Sequence, residues 1–175
     1  GKPFRDTRTG LLPPKLAQIM LNLGLLLLPH LKSGKSEGTE RWEHVTIWDP
    51  FCGSGVIVLE ALLRRAHVLA TDRSERALRG CEENIRWLRH REKTPKVVTH
   101  AVLKHDACKP FLPPGAPRAP NLIVTETSLG PALKKPPTKT EVKALLRDAE
   151  KLEEKFFTSL THCLPNVPVV ATFPV

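Results

Sequence analysis

One stretch limits what this chain can fold into more than any other. Asp49-Pro50-Phe51-Cys52-Gly53-Ser54-Gly55 follows the apolar run Val45-Thr46-Ile47-Trp48 and leads into Val56-Ile57-Val58-Leu59-Glu60-Ala61-Leu62-Leu63. A β-branched strand that ends in an acid, turns on two glycines and enters an apolar helix builds a nucleoside cradle in α/β proteins, because strand end, turn and helix N-terminus converge there. Gly53 and Gly55 let the backbone approach a ligand with no Cβ in the way, and the helix supplies unpaired N–H groups and the positive end of its dipole. The third glycine of the dinucleotide fingerprint is absent, since Val56, Ile57 and Val58 follow Gly55, so the motif alone is equally a plain turn. Context strengthens it. A second strand, Ala66 to Thr71, ends at Asp72, near the distance of about 20 residues at which an acid accepts ribose hydroxyls. Asp72 also suits the N-cap of the helix begun by Ser74-Glu75.

Strand and helix alternate along the chain. Lys15 to Leu28 reads as a helix after Pro13-Pro14, and the segment 33–38 as a loop. Strand 44–48, helix 55–65 and strand 67–71 follow, then a helix from Glu75 to Arg89 with Ala77, Leu78, Cys81, Ile85 and Leu88 on one face. Residues 97–102 form a third strand with Asp106 just beyond it, and Lys109 to Pro120 carries too many prolines for regular structure. The fourth strand is 121–124. Thr138-Lys139-Thr140-Glu141 matches a capping box opening a long helix whose Val142, Leu145, Ala149, Leu152, Phe156, Leu160 and Cys163 recur at helical spacing, as expected of a helix that covers a sheet. Strand 167–173 comes last. Such alternation predicts a mostly parallel sheet with helices on both faces, folded as one domain over 1–175, with 1–32 leading into a core at 44–175.

At 175 residues with 41% hydrophobic content the chain can bury one sizeable core. Its formal net charge of +9 favours a polyanionic partner, which here means nucleic acid, or else is a solvated basic surface. Cys52, Cys81, Cys108 and Cys163 are far apart with no C-x-x-C, and the histidines lack ligand spacing, so neither metal nor disulfide framework is expected. Leu16 to Leu28 is too short and too polar at Gln18 and Asn22 to span a membrane and reads as a core helix; the N-terminal residues lack a signal-peptide layout. A cytoplasmic location follows.

Taken together, Arg5-Asp6-Thr7-Arg8-Thr9-Gly10-Leu11-Leu12-Pro13-Pro14-Lys15-Leu16-Ala17-Gln18, Asp49 to Gly55 and Thr71-Asp72-Arg73-Ser74 resemble the catalytic domain of the THUMP-associated tRNA guanine-N2 methyltransferases. The resemblance spans nearly the whole chain. It implies a Rossmann-like class I methyltransferase fold, a three-layer α/β sandwich, with S-adenosylmethionine as cofactor and tRNA as substrate. Thr7, Arg8 and Thr9 would then lie against the methionine part of the cofactor, and Asp49, Pro50, Phe51, Cys52, Gly53 and Gly55 would form its loop. Asp72 would take the ribose hydroxyls with Arg73 beside it, and Asp106 and Ala107 would flank the adenine. For the first segment, a helix lead-in is the plainer reading, and Arg5 and Arg8 could instead meet phosphates.

The chain departs from this family after the fourth strand. Amino-directed methyltransferases usually carry Asp/Asn-Pro-Pro-Tyr/Phe there, whose oxygens orient a weakly nucleophilic exocyclic amine. Here the residues are Thr125-Glu126-Thr127-Ser128, and the chain contains no tyrosine. Thr125 and Glu126 are the catalytic candidates, with Glu126 accepting from the amine or only capping the strand towards solvent. The departure leaves open a module that binds the cofactor and a nucleic acid or protein partner without catalysis. The family's C-terminal hairpin and preceding THUMP region have no counterpart in these residues, so strand 167–173 is expected near a sheet edge, covered by a partner chain or a further domain, with Pro168 and Pro174 discouraging foreign pairing.

Overall fold

The computed structural model describes residues 2–4, 12–28, 42–92, 98–110, 118–128, 130 and 135–173. Its elements are α1 (Pro14–Leu27), β1 (Thr46–Asp49), α2 (Val56–Leu63), β2 (His67–Asp72), α3 (Glu75–Glu92), β3 (His100–Lys104), β4 (Leu122–Glu126), α4 (Lys139–Cys163) and β5 (Val169–Thr172). The strands form one sheet in the order β3-β2-β1-β4-β5, and every pairing is parallel. This is an α/β, Rossmann-like fold.

Alternate strand residues feed two cores. Ile47, Val68, Ala70, Leu122 and Val124 face α1, α2 and α3, whereas Trp48, Leu69 and Ile123 face α4 through Phe156 and Leu160. The chain order therefore reverses at β1 and β4, the central pair, and the carboxyl ends of these strands open a crevice between the helical layers. Gly24 brings α1 onto the sheet: a Cβ there would stand 2.8 Å from a methyl carbon of the buried Leu122. The outward face of α1 is apolar, with Leu26 63% exposed. β5 is an edge strand of the described sheet, and its residues are half-buried.

Two elements differ from expectation. The third strand begins at His100, not at residue 97, because α3 runs on to Glu92 and Val98 is spent as a core plug, its carbonyl accepting from Arg89 Nη2 at 2.8 Å. The expected sheet-covering helix covers the sheet over only part of its length. The capping box forms, with Thr138 Oγ1 accepting from Glu141 N and Thr138 N donating to Glu141 Oε2. Yet only Phe156 and Leu160 of α4 are buried; Val142 and Leu146 lie exposed. The N-terminal half of α4 reaches past the sheet and overhangs the crevice.

Phe156 is the attachment point. Its ring meets Phe51 edge-on at 5.2 Å and Phe157 at 5.2 Å, and Phe157 continues to Phe173 at 5.9 Å. Phe156→Ala should cost about 3–5 kcal/mol, read as a lowered denaturant midpoint; a loss below about 1 kcal/mol would mean that α4 is held elsewhere.

Candidate functional site

The glycine turn after β1 has the backbone its composition requires. Gly53 (φ 50°) and Gly55 (φ 82°) are both left-handed, and Gly55 N donates to Cys52 O at 2.7 Å, closing a tight turn at the start of α2. A Cβ on Gly55 would also meet Cys81 Sγ at 2.7 Å, so two independent reasons keep the position small. Cys52 and Cys81 are buried with free thiols. Hydrogen bonding to Cys81 and burial push the Cys52 thiol well up, which keeps it protonated.

Asp72, at the end of β2, serves the turn. Its Oδ2 accepts from Gly53 N at 3.0 Å and its Oδ1 from Ser74 N at 2.8 Å, while Ser74 Oγ accepts from Ala77 N and takes the capping place at α3. Each carboxylate oxygen keeps acceptor capacity for a further donor. Asp106 behaves similarly in the loop after β3, where its Oδ1 accepts from Cys108 N at 3.1 Å, and Ala107 is buried beside it.

Asp49 is the most confined of the acids, 1% exposed. Thr125 Oγ1 donates to its Oδ1 at 2.8 Å and Phe51 N donates to the same oxygen at 3.3 Å, joining the ends of β4 and β1. Burial raises its pKa from 3.8 to about 7, against the lowering effect of these two hydrogen bonds. Glu126, half-buried, is also pushed up by burial. It therefore does not face open solvent as a simple strand cap would.

These groups surround a cavity of about 900 Å³. Asp49, Pro50, Phe51, Cys52, Gly53, Asp72, Arg73, Asp106, Ala107 and Glu126 all contribute to its wall; Gly55 and Thr125 do not. Thr125 is fully buried and turned onto Asp49, and the Thr127 hydroxyl donates to Thr172 O at 3.1 Å, while Glu126 lines the space together with Thr127 and Ser128. Thr7, Arg8 and Thr9 lie outside the described residues. Among the described residues no cluster of His, Cys, Asp or Glu could hold a metal ion, and no helix is long and apolar enough to cross a membrane.

Several residues around this space carry no obvious sequence motif. Asn84 binds both backbone groups of Phe4 at 3.0 Å and also donates to Ser54 O at 2.9 Å, and Lys2 Nζ donates to Ser54 Oγ, so residues 2–4 are strapped to the glycine turn. Gly80 makes room for the Phe4 ring. The readable signal was an amide on the apolar face of α3, between Cys81 and Leu88. Leu145, Leu146, Leu152, Lys151 and Lys155 of α4 form the outer wall, which their helical period alone assigns to core or solvent.

The sequence profile of the family described as conserved hypothetical protein 95 matches residues 37–120, slightly under half of the chain and covering β1 through β3. No curated protein matches. Among solved structures, two of the rRNA methyltransferase aviRa from Streptomyces viridochromogenes are similar. One, at 21% identity and a TM-score of 0.57, aligns over 98% of this chain and 80% of its own. The other, at 22% identity and a TM-score of 0.50, aligns over 70% of this chain, which spans only 61% of that structure's length. These likenesses establish the fold.

The Asp49 carboxyl makes a testable contribution to stability. Between pH 3.8 and about 7 the folded protein holds a proton that the unfolded chain has released, so stability falls as pH rises through that interval and is level above it. Asp49→Asn has no such proton. Urea unfolding should show the variant gaining on wild type by a few kcal/mol between pH 4 and pH 8; a difference independent of pH would mean that Asp49 is ionised throughout.

Proposed function

We propose that this chain is an S-adenosylmethionine-dependent methyltransferase domain acting on RNA, with the exocyclic amine of a tRNA guanine as the acceptor its motifs resemble. The observation that carries the reading is the position of Asp72: a strand-end carboxylate already anchored on the glycine turn, with acceptor capacity left on both oxygens, in a cavity that also holds Glu126. Similarity in fold to an rRNA methyltransferase supports the RNA side of the proposal, as does the net charge of +9.

When bound, the cofactor supplies an electrophilic methyl group on a cationic sulfonium. The residues of the chain have the following parts. Asp72 accepts from the ribose hydroxyls, and the Cys52–Gly53 backbone closes over the adenosyl group. Asp106 and Ala107 would flank the adenine with Arg73 nearby, and the resemblance assigns Thr7, Arg8 and Thr9, outside the described residues, to the methionine end. Asp49 holds the loop through Phe51 N and is itself steadied by Thr125, a positioning role. Glu126 accepts the hydrogen bond of the acceptor amine, orienting its lone pair, and takes the proton released once the nitrogen is methylated. Its raised pKa suits that proton transfer near neutrality.

A second reading has one specific observation in its favour. The hydroxyls of Thr125 and Thr127 both donate to other groups, so Glu126 is the one carboxylate that the end of β4 turns to the space among the described residues. A domain that binds the cofactor and RNA without transferring methyl groups would look the same.

Calorimetry with S-adenosylhomocysteine tests the binding half: heat of binding is expected, with Asp72→Ala weakening affinity about tenfold or more. No heat at millimolar ligand, or an unchanged affinity in the variant, would remove the cradle from this role. Labelled cofactor and bulk tRNA test the catalytic half. Wild type should incorporate label, and Glu126→Gln should lose about 100-fold in rate with nearly unchanged affinity for S-adenosylhomocysteine; binding without incorporation would favour the second reading.

A further inference from the structure

Helix α4 carries a cation at every fourth position from its first residue to Lys155: Lys139, Lys143, Arg147, Lys151 and Lys155. Like charges four apart on a helix repel and destabilise it, so an uninterrupted row of five works against the helix that displays it. All five are exposed, and none makes an ion pair among the described residues, although Glu150 and Glu154 occupy the adjacent row. The acid at the helix start is otherwise engaged, since Glu141 is tied to Thr138. The row is thus left available to an outside partner.

Its course points at the cavity. Each step of four residues advances about 6 Å along the axis and turns about 40° around it, so the row winds across the helix instead of running straight down its outer side. Lys139 and Lys143 begin it outside the cavity wall; Lys151 and Lys155 end it within that wall. Lys155 and Arg73, the latter from the end of β2, both border the cavity, and both act on Cys108 to pull its thiol downwards, against the dominant effect of burial. This end of α4 is also fixed in place. Ser159 Oγ donates to Lys109 O at 2.8 Å and Cys108 Sγ to Leu152 O at 3.7 Å, pinning the helix to the loop after β3.

We propose that the cationic row of α4 is a backbone track for single-stranded RNA, along which successive phosphates are held by Lys143, Arg147, Lys151 and Lys155 so that the strand is led into the cavity. A spacing of about 6 Å between cations is comparable to the separation of neighbouring phosphates in an extended strand, whereas a bulky folded partner would need a broad patch and not a single row. Beside the track, Leu145 and Leu146 offer an apolar shelf on which an unstacked base can lie. The choice of RNA as occupant rests on the methyltransferase reading above, and the experiment separates the two.

A fluorescein-labelled single-stranded RNA of mixed sequence is titrated with the whole chain, by anisotropy, across a range of salt. Arg147→Glu/Lys151→Glu/Lys155→Glu should weaken binding at least about tenfold and reduce the slope of log affinity against log salt by about 2, the loss of three phosphate contacts. Arg79→Glu/Arg86→Glu/Arg91→Glu on α3, the same change of net charge at exposed positions, should leave affinity within about threefold. Equal losses in the two triple variants, no loss in the α4 variant, or no RNA binding by wild type would each overturn the proposal. Glutamine replacements at the same three α4 positions keep the test valid if charge reversal unfolds the helix, as monitored by circular dichroism. A polyglutamate peptide that binds as tightly as the RNA, with the same loss in the α4 variant, would reassign the track to an acidic protein. Calorimetry with S-adenosylhomocysteine on wild type reports separately on the methyltransferase reading. Failure of wild type to take that ligand would end the methyltransferase reading while leaving the anisotropy result to decide the track.

Discussion

The carboxyl ends of the two central strands are joined by one buried hydrogen bond, from Thr125 Oγ1 to Asp49 Oδ1, and the geometry of the whole site follows from where it lies. β1 and β4 are the pair at which the chain order reverses, so the helices that follow them diverge to opposite faces and leave the strand ends uncovered. A charge-capable side chain buried at that seam is costly unless it is hydrogen-bonded or neutral. Asp49 is both, with two donors on one oxygen and a proton retained to about pH 7. By holding Phe51 N it sets the path of the turn, and Phe51 in turn carries the aromatic contact that attaches α4. Strand end, turn and outer helix are thus linked in one chain of contacts.

Charge is divided by depth around the crevice. Acids occupy the interior at Asp49 and Glu126, both raised by burial, with the half-buried Asp72 fixed by backbone donors and Asp106 exposed at the mouth. Cations occupy the rim at Arg73, Lys151 and Lys155. An interior of this kind favours a positively charged ligand or an amine, and the rim favours a polyanion. The combination fits a site where a sulfonium and a nucleic acid meet, and it distinguishes this crevice from a nucleotide-phosphate pocket, whose interior would need to be cationic.

Much of the cradle was legible because its signals are local. A β-branched strand ending in an acid, two glycines that must be left-handed and an apolar helix start specify one another within fifteen or so residues, and Asp72 lies at the end of the second strand. What the chain hid depends on distance. The period of α4 announces an apolar stripe but cannot say how far the sheet extends beneath it, so Val142 and Leu145 read like Phe156 until the overhang is seen. Residues 97–102 have strand composition throughout, yet pairing with β2 starts only at His100 because Val98 is drawn into the core by the end of α3. Thr125 reads as a catalytic candidate in the sequence, and only the fold reveals that its hydroxyl is directed at Asp49. Asn84 shows the opposite case, a polar residue on a buried helical face whose partners, Phe4 and Ser54, are far away in sequence.

The central claim is that the space bounded by Asp49, Asp72 and Glu126 receives an adenosyl group with its sulfur turned towards the end of β4. A crystal structure of the chain soaked with S-adenosylhomocysteine measures this directly. The account predicts both ribose hydroxyls within hydrogen-bonding distance of the Asp72 carboxylate, the adenine beside Asp106 and Ala107, and the sulfur facing Glu126. Density for the ligand elsewhere, or a ribose with no contact to Asp72, would contradict it.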